Sequence, residues 1–275
     1  MKKQLCFIFF VCLAYLSVAQ KKEKIKGDKE VISVSNSIDK EFSALEINNN
    51  LKVTLLQSKK NGYVLTTDQN LADVVSIEVE NGVLKLHTTA KITGSKKLEI
   101  ILSVKGISTI ILNDDAELET QGTLSSDFFS FTGNQSTKFD LDIESKEGSI
   151  VLNKNSGGKI NMQSKDVTVN ISDRSDLKLK LDANNLSAQL SKSAQLDMDG
   201  KVNDAVFNLK NSAELKAKKM KARTAILNAS NNTDIYIRAT KNLVINAEGK
   251  SKVFVYGNPE IDLKGLTNSS RIIKK

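Results

Sequence analysis

Hydrophobic and polar residues alternate with period two along most of this chain. "FSALEINNNLKVTLLQ" (Phe42 to Gln57), "GYVLTTD", "VVSIEVENGVLKLHTT" and "KLEIILSV" each place apolar side chains on one face and polar ones on the other, the pattern of a half-buried strand. Asn61-Gly62 and Asn81-Gly82, set between these runs, predict tight hairpin turns. The stretch 31–112 therefore reads as an antiparallel β unit. Beyond it the alternation acquires a longer period. "AVFNLKNSAEL" from Ala205 and "AILNASNNTDI" from Ala225 share one order of apolar and polar positions, which recurs in "FSFTGNQSTKF", "IVLNKNSGGKI", "VTVNISDRSDL", "LSAQLSKSAQL" and "LVINAEGKSKV". The units end at Phe139, Ile160, Leu177, Leu196, Leu215, Ile235 and Val253, with Leu118 as an earlier member, and their spacing is 17 to 21 residues.

A repeat of about twenty residues cannot bury an apolar face alone, and stacking like units into a solenoid solves that problem. Each unit carries two strand signals: "LKLKL", "FDLDI" or "IYIRA" at its end, and "VTVNI" or "AVFNL" at the start of the next. Asn, Ser, Asp and Gly lie between them and turn the chain. Helix-period stretches of useful length are absent. The expected fold is all-β: the antiparallel unit at 31–112, then a right-handed parallel β-solenoid (β-helix-like) of about eight short coils at 113–275, closed by a C-terminal cap. The hand follows the general preference of parallel crossovers.

Aligning the units gives their columns physical meaning. Asn153, Asn170, Gln189, Asn208, Asn228 and Asn246 fall in one position, with Thr132 before them, and stacked amides can donate to one coil and accept from the next. Alternation sets this ladder opposite Phe207 and Leu227 and beside Val206, Ile226 and Val244. Either it turns inward at a bend or its outer face is covered, and Val206, Ile226 and Val244 are then a candidate face for a homo-oligomer. Two further columns, Asp140, Asn161, Lys178, Asp197, Lys216 and Asp142, Gln163, Lys180, Asp199, Lys218, Arg238, read as a solvated face with ion pairs between coils.

Residues 1–19 stand apart from this pattern. Lys2 and Lys3, the apolar run from Leu5 to Leu16 and "SVA" before Gln20 read as a secretory signal peptide cleaved after Ala19. The apolar run is well short of the ~20 residues of a spanning helix, and no transmembrane segment is expected after cleavage. Both cysteines lie in this leader, so the mature protein is exported without a disulfide. Residues 20–30 are charged and expected to be mobile. The formal charge of +8, two units of it from the leader, permits acidic partners but demands none, and no nucleic-acid motif accompanies it.

"FSALEINNNLKVTLLQ", "VLTTDQNL" and "IEVENGVLKLHT", followed by coils with "NSAEL" or "KSAQL" turns, resemble the auto-transporter adhesin head GIN domain family from about Val31 onward. The resemblance implies an exported β protein of a kind common in Bacteroidetes, largely of unknown function and adhesin-like by fold analogy. Asn48, Asn49 and Asn50 depart from the glycine-containing turn usual there.

Catalytic chemistry has little to work with. His87 is the single histidine, so no zinc site built from His and Cys and no metal site or cofactor is expected. "NSGGK" lacks the remaining glycine, hydroxyl and helix of a phosphate loop. Asp114, Asp115 and Glu117, or Asp140 and Asp142, are the only carboxylate groupings to offer a polysaccharide-active enzyme, and all suit turns or ion pairs. Near the C-terminal end, Tyr236 and Phe254 fall in one outward column and Arg238 and Tyr256 in the next, a candidate binding patch for a glycan or envelope protein. The same positions suit a terminal cap covered by "LTNSSRIIKK". The sequence thus reads as a non-enzymatic envelope protein, periplasmic or at the cell surface, binding a partner through solenoid faces. The alternatives are an oligomeric assembly protein and a polysaccharide-active enzyme.

Overall fold

The structure, a computed structural model, describes residues 23–275. The expected signal peptide and both cysteines lie outside the described residues. The chain forms a β-solenoid of about nine turns with an antiparallel portion at its N-terminal end. Each coil has two walls, and one hydrophobic core between them runs from Phe42 to Val255.

The first wall stacks 128–133, 147–152, 166–171, 185–190, 204–209, 224–229 and 242–247 in parallel register. The second stacks 138–144, 157–163, 176–182, 195–201, 214–217, 234–238 and 252–256. The second wall passes into the first through a corner at which the burial pattern slips phase. In Asp176–Leu190, Leu177, Leu179, Leu181 and Ala183 point inward, Asn184 and Asn185 are both exposed, and Leu186, Ala188 and Leu190 point inward again. Two adjacent exposed residues bend a period-two strand without breaking its hydrogen bonding.

The other connection is a four-residue turn whose two central residues are both left-handed. Asp114/Asp115, Gln135/Ser136, Lys154/Asn155, Asp173/Arg174, Lys192/Ser193, Asn211/Ser212 and Asn231/Asn232 all have φ between 53° and 67°. Positive φ at both centres defines the primed turn that suits the right-handed strand twist. Side chains other than glycine resist this conformation, and the stack compensates with hydrogen bonds. The second central N–H donates to the first central carbonyl of the next coil, as in Ser136 to Lys154 at 2.9 Å and Arg174 to Lys192 at 3.0 Å. Ala116, Thr137, Ser156, Ser175, Ala194, Ala213 and Thr233 follow the turns and are buried, a column with room for small side chains only. Asn49 and Asn50, at φ 60° and 58°, make the same turn where glycine was expected. Asparagine is among the residues that tolerate the left-handed region best.

The N-terminal stretch is more interleaved than a separate antiparallel unit. Ala44–Ile47 pairs in parallel with 83–86 on one side and Thr109–Leu112 on the other. Lys52–Gln57 likewise lies between Leu98–Val104 and Glu117–Thr120. Among the described residues antiparallel pairing is confined to Val31–Ser37 with Gly62–Asp68, Gly62–Asp68 with Leu98–Val104, and the Val75–Glu80/Val83–Thr88 hairpin. Asn81-Gly82 makes the tight turn of that hairpin. Asn61-Gly62 does not: Asn61 is buried, and its Oδ1 accepts the Lys105 N–H at 2.8 Å.

Residues 24–30, expected from their charge to be mobile, are paired and hydrogen-bonded to the N-terminal end. Lys24–Ile25 pairs with Lys91–Ile92, and the Asn70 amide donates to the Lys26 carbonyl at 2.9 Å. Asp68 is fully buried beneath them and accepts the N–H groups of Lys29, Lys96 and Lys97. Those bonds, the Lys96 N–H foremost, hold the Asp68 carboxyl below the usual carboxylate range despite its burial. Backbone donors, which the lysine-rich sequence does not advertise, bind residues 24–30 to the N-terminal end.

Candidate functional site

The two walls share a core and differ outside. On the first wall the outward columns are Ser130, Ser149, Thr168, Ser187, Val206, Ile226, Val244 and, next to them, Thr132, Val151, Asn170, Gln189, Asn208, Asn228, Asn246. Neither column holds a charge over this length. The amides face outward, on the side of the sheet away from Phe207 and Leu227, and Asn228 Nδ2 donates to Asn208 Oδ1 at 2.9 Å. With Ser172, Ser191 and Ser230 they line a shallow groove of about 380 Å³ along the stack, which Lys210 and Glu248 flank as its charged residues. Beside it Val206 and Val244 are half-buried, and Ile226 between them is 40% exposed. The arrangement offers a regular row of amide and hydroxyl groups next to a short apolar stripe, suited to an uncharged surface rich in hydrogen-bonding groups.

Asn153 stands outside that column, where Val151 takes its place opposite Asn170. The slip has a physical cause at Gly158, which occupies the core position between Phe139 and Leu177. A Cβ on Gly158 would lie 2.7 Å from the Phe139 ring, so the large residue fills the small one's share of the core. An alignment that demands an apolar residue in every coil passes to Ile160, two residues on. Asn153 belongs instead to a second ladder at the first turn position. Asn113 donates to Asn48 at 3.0 Å, Asn134 to Asn113 at 3.0 Å, Asn153 to Asn134 at 3.3 Å, and Ser172 closes the row on Asn153 at 2.8 Å. Sequence reading missed this ladder, although an Asn three residues before the small buried residue marks Asn113, Asn134 and Asn153.

On the second wall the outward columns are charged. Lys159 pairs with Asp140 at 3.6 Å, and Glu117 lies between Lys52 at 3.0 Å and Lys138 at 3.5 Å. Burial pushes the Glu117 carboxyl up, but the two lysines prevail and leave it below its ordinary value. Asp173 is lowered by its bonds from Lys192 and Ser172. The carboxylates considered for catalysis are engaged in structure. Asp114 and Asp115 are turn centres, and Asp142 accepts from Asn161 at 2.7 Å. Among the described residues no group of three or more His, Cys, Asp or Glu side chains gathers as metal ligands. His87 is half-exposed opposite Ser76.

The aromatic patch closes on itself. Tyr236 and Phe254 stack with ring centroids 4.7 Å apart and planes 6° from parallel, and Lys275 Nζ lies 5.8 Å from the Phe254 centroid. A sugar ring stacks on an open aromatic face, whereas these faces meet each other and a lysine. Arg238 and Tyr256 are register partners in the neighbouring column, and both are half-buried.

The model of the family described as "Putative auto-transporter adhesin, head GIN domain" matches residues 41–163 and again 150–259. The chain belongs to this family. Among solved structures, the GIN-domain chain is similar to a putative adhesin from Parabacteroides merdae, with 16% identity, a TM-score of 0.70, and 92% of this chain and 99% of that one covered. A putative adhesin from Parabacteroides distasonis gives 17% identity and a TM-score of 0.69, covering 92% and 100%. A protein described as a putative lipid binding protein, from the same species, gives 22% and 0.66 over 92% and 100%. These likenesses share a fold. No curated protein matches the chain.

Proposed function

We propose that this GIN-domain protein is an exported, non-enzymatic component of the cell envelope that binds a neutral glycan or protein partner in an adhesin-like manner, with the first wall as its contact surface. The observation that carries this reading is the pair of adjacent uncharged columns from Ser130 to Asn246, maintained on a chain in which a quarter of the residues are charged. Solvated faces of solenoids gain solubility from charge, and leaving one face free of it suits contact with an uncharged partner. The family and the neighbours described as adhesins support the binding role, and the leader at residues 1–19 supports export. Among the described residues no helix is long and apolar enough to cross a membrane.

The test pairs two variants on glycan arrays and on immobilised envelope extract. Ile226→Lys sets a charge on the neutral face, and Lys178→Asp changes the charged wall. Binding lost in the first and kept in the second supports the reading; equal binding in both contradicts it. Protease treatment of intact cells, before and after opening the outer membrane, separates a surface rod from a periplasmic one. A second reading, assembly with copies of itself, is favoured by Ile226, exposed at 40% in the middle of its stripe. A monomer at every concentration in sedimentation contradicts it.

A further inference from the structure

The coil that holds Glu214–Ala229 is longer than its neighbours at one corner. Between Ala217 and Ala222 it spends four residues, Lys218 to Lys221, where the coil above spends only Arg238 between Ile237 and Ala239. The register with the coil below also breaks, between Asp197 and Lys201. Met220 is fully buried and anchors the protrusion, while Lys218, Lys219 and Lys221 are exposed. Gly200 lies below at φ +106°, and a Cβ there would come within 2.1 Å of the Leu181 carbonyl oxygen. The corner is thus a β-bulge with its own anchor and its own glycine, and bulges commonly re-aim side chains.

What it re-aims is positive charge. Lys218, Lys219 and Arg238 line a hollow of about 370 Å³ with Asp199 and Tyr256. Lys221 stacks directly on Lys201, and Arg223 and Lys241 follow on the same corner. Eleven ion pairs occur among the described residues, and none involves these cations. Arg238 also buries its Nε without a hydrogen-bond partner. Like charges facing each other across adjacent strands destabilise a sheet; where Lys159 faces Lys178 elsewhere on the second wall, each has an aspartate on its other side, Asp140 and Asp197, whereas no acidic register partner faces Lys218, Lys219 or Lys221.

We propose that this corner is a binding site for an acidic glycan, whose carboxylate or sulfate group enters the hollow between Lys218, Lys219 and Arg238. It goes beyond the neutral-wall reading and is independent of it. Asp199 suits the sugar's hydroxyl donors, and the Tyr256 hydroxyl can hydrogen-bond alongside. A flat anionic lipid surface fits less well, since it would press Asp199 against its own phosphates.

The test uses polygalacturonate, sulfated dextran and uncharged dextran as immobilised probes for the mature chain. Retention is expected on the first two and not on the third, weakening steeply with added salt. Reversing two exposed lysines in Lys218→Glu/Lys219→Glu is expected to weaken it about tenfold or more. Lys59→Glu/Lys60→Glu makes the same change in net charge at an exposed loop elsewhere and is expected to stay within about twofold. Arg238→Gln, which keeps a donor at the hollow without the charge, is expected to fall between the two, and unchanged melting temperatures confirm that each variant is folded. Equal weakening by the two lysine pairs, equal retention on uncharged dextran, or binding to phosphatidylserine vesicles without binding to either acidic polymer would overturn the proposal.

Discussion

The two walls of this solenoid are built alike inside and differently outside. Phe207 and Leu227 on the first wall and Leu177 and Leu196 on the second are equally buried, so the core does not distinguish them. Outward, two columns of the first wall carry Ser, Thr, Asn, Gln and β-branched residues, with Glu147, Asp166 and Asp204 at the wall's corner edge, and the second wall carries Lys and Asp in stacked columns. A strand's alternation separates what the fold needs from what the surface does, and a stacked repeat writes that separation many times over. Away from the Lys218–Arg238 corner, the charged wall can be explained by solubility and register. The neutral wall cannot, and for that reason the contact surface is assigned to it.

Cutting into the shared core breaks the comparison most severely. Phe207→Ala is expected to cost about 3–5 kcal/mol and Leu196→Ala about 2–5 kcal/mol, both read from denaturant unfolding. The walls unfold together, so either substitution should lower the stability seen by a probe on the other wall. Two independent transitions would show that the walls are separate units.

The turn ladder comes next. Asn113 both donates to Asn48 and accepts from Asn134. Asn113→Ala removes both bonds and is expected to cost about 2 kcal/mol in the same unfolding measurement. Asn228→Ala, which removes one bond on the outward column, is expected to cost about 1 kcal/mol or less.

Acid acts on carboxylates outside the neutral columns. Asp68, Glu117 and Asp173 are all held below their ordinary values, the first by backbone N–H groups and the others by lysines that prevail over desolvation. A lowered carboxylate contributes stability in full above its unfolded value, about pH 4, and loses it as pH falls through the folded value. Melting temperature should therefore hold through the neutral range and drop below about pH 4. Asp68→Asn should be less stable than wild type at neutral pH, and the gap should narrow as the solution is acidified. A gap that widens in acid would have the wrong sign.

The smallest effect is expected at single surface ion pairs. Lys159→Ala breaks an exposed pair with Asp140 and should cost about 0.5 kcal/mol or less, vanishing at high salt. A larger loss there would mean that the charged wall does more than dissolve the rod.

Much of this fold is legible in the sequence because its strongest signal, a period near nineteen residues, is also its architecture. What escaped has local physical causes. Gly158 hides a core position behind Phe139, which moved one unit by two residues and put Asn153 in the wrong column. Asn61-Gly62 has the composition of a hairpin but spends its side chain on the Lys105 N–H. The interleaving of 44–57 between 83–104 and 109–120 is a pairing between distant segments, and alternation carries no information about partners. Tyr236 and Phe254 were correctly placed one above the other, yet register alone does not tell an open ring face from one spent on its neighbour. The bulge is written in the chain as a lysine-rich run, "KAKKMKAR", with one methionine that the core retains.

The central claim is that the neutral wall is the one that meets a partner. Both cysteines lie in residues 1–19, which the proposed signal cleavage removes, so single cysteines can be set at Ile226 and at Lys216, one exposed position on each wall. The measurement is the rate of thiol labelling of Ile226→Cys and Lys216→Cys in intact cells, compared with the purified protein. The account predicts that Ile226→Cys is slowed in cells while Lys216→Cys is labelled at the same rate in both. Slowing at Lys216→Cys with Ile226→Cys unchanged would contradict it.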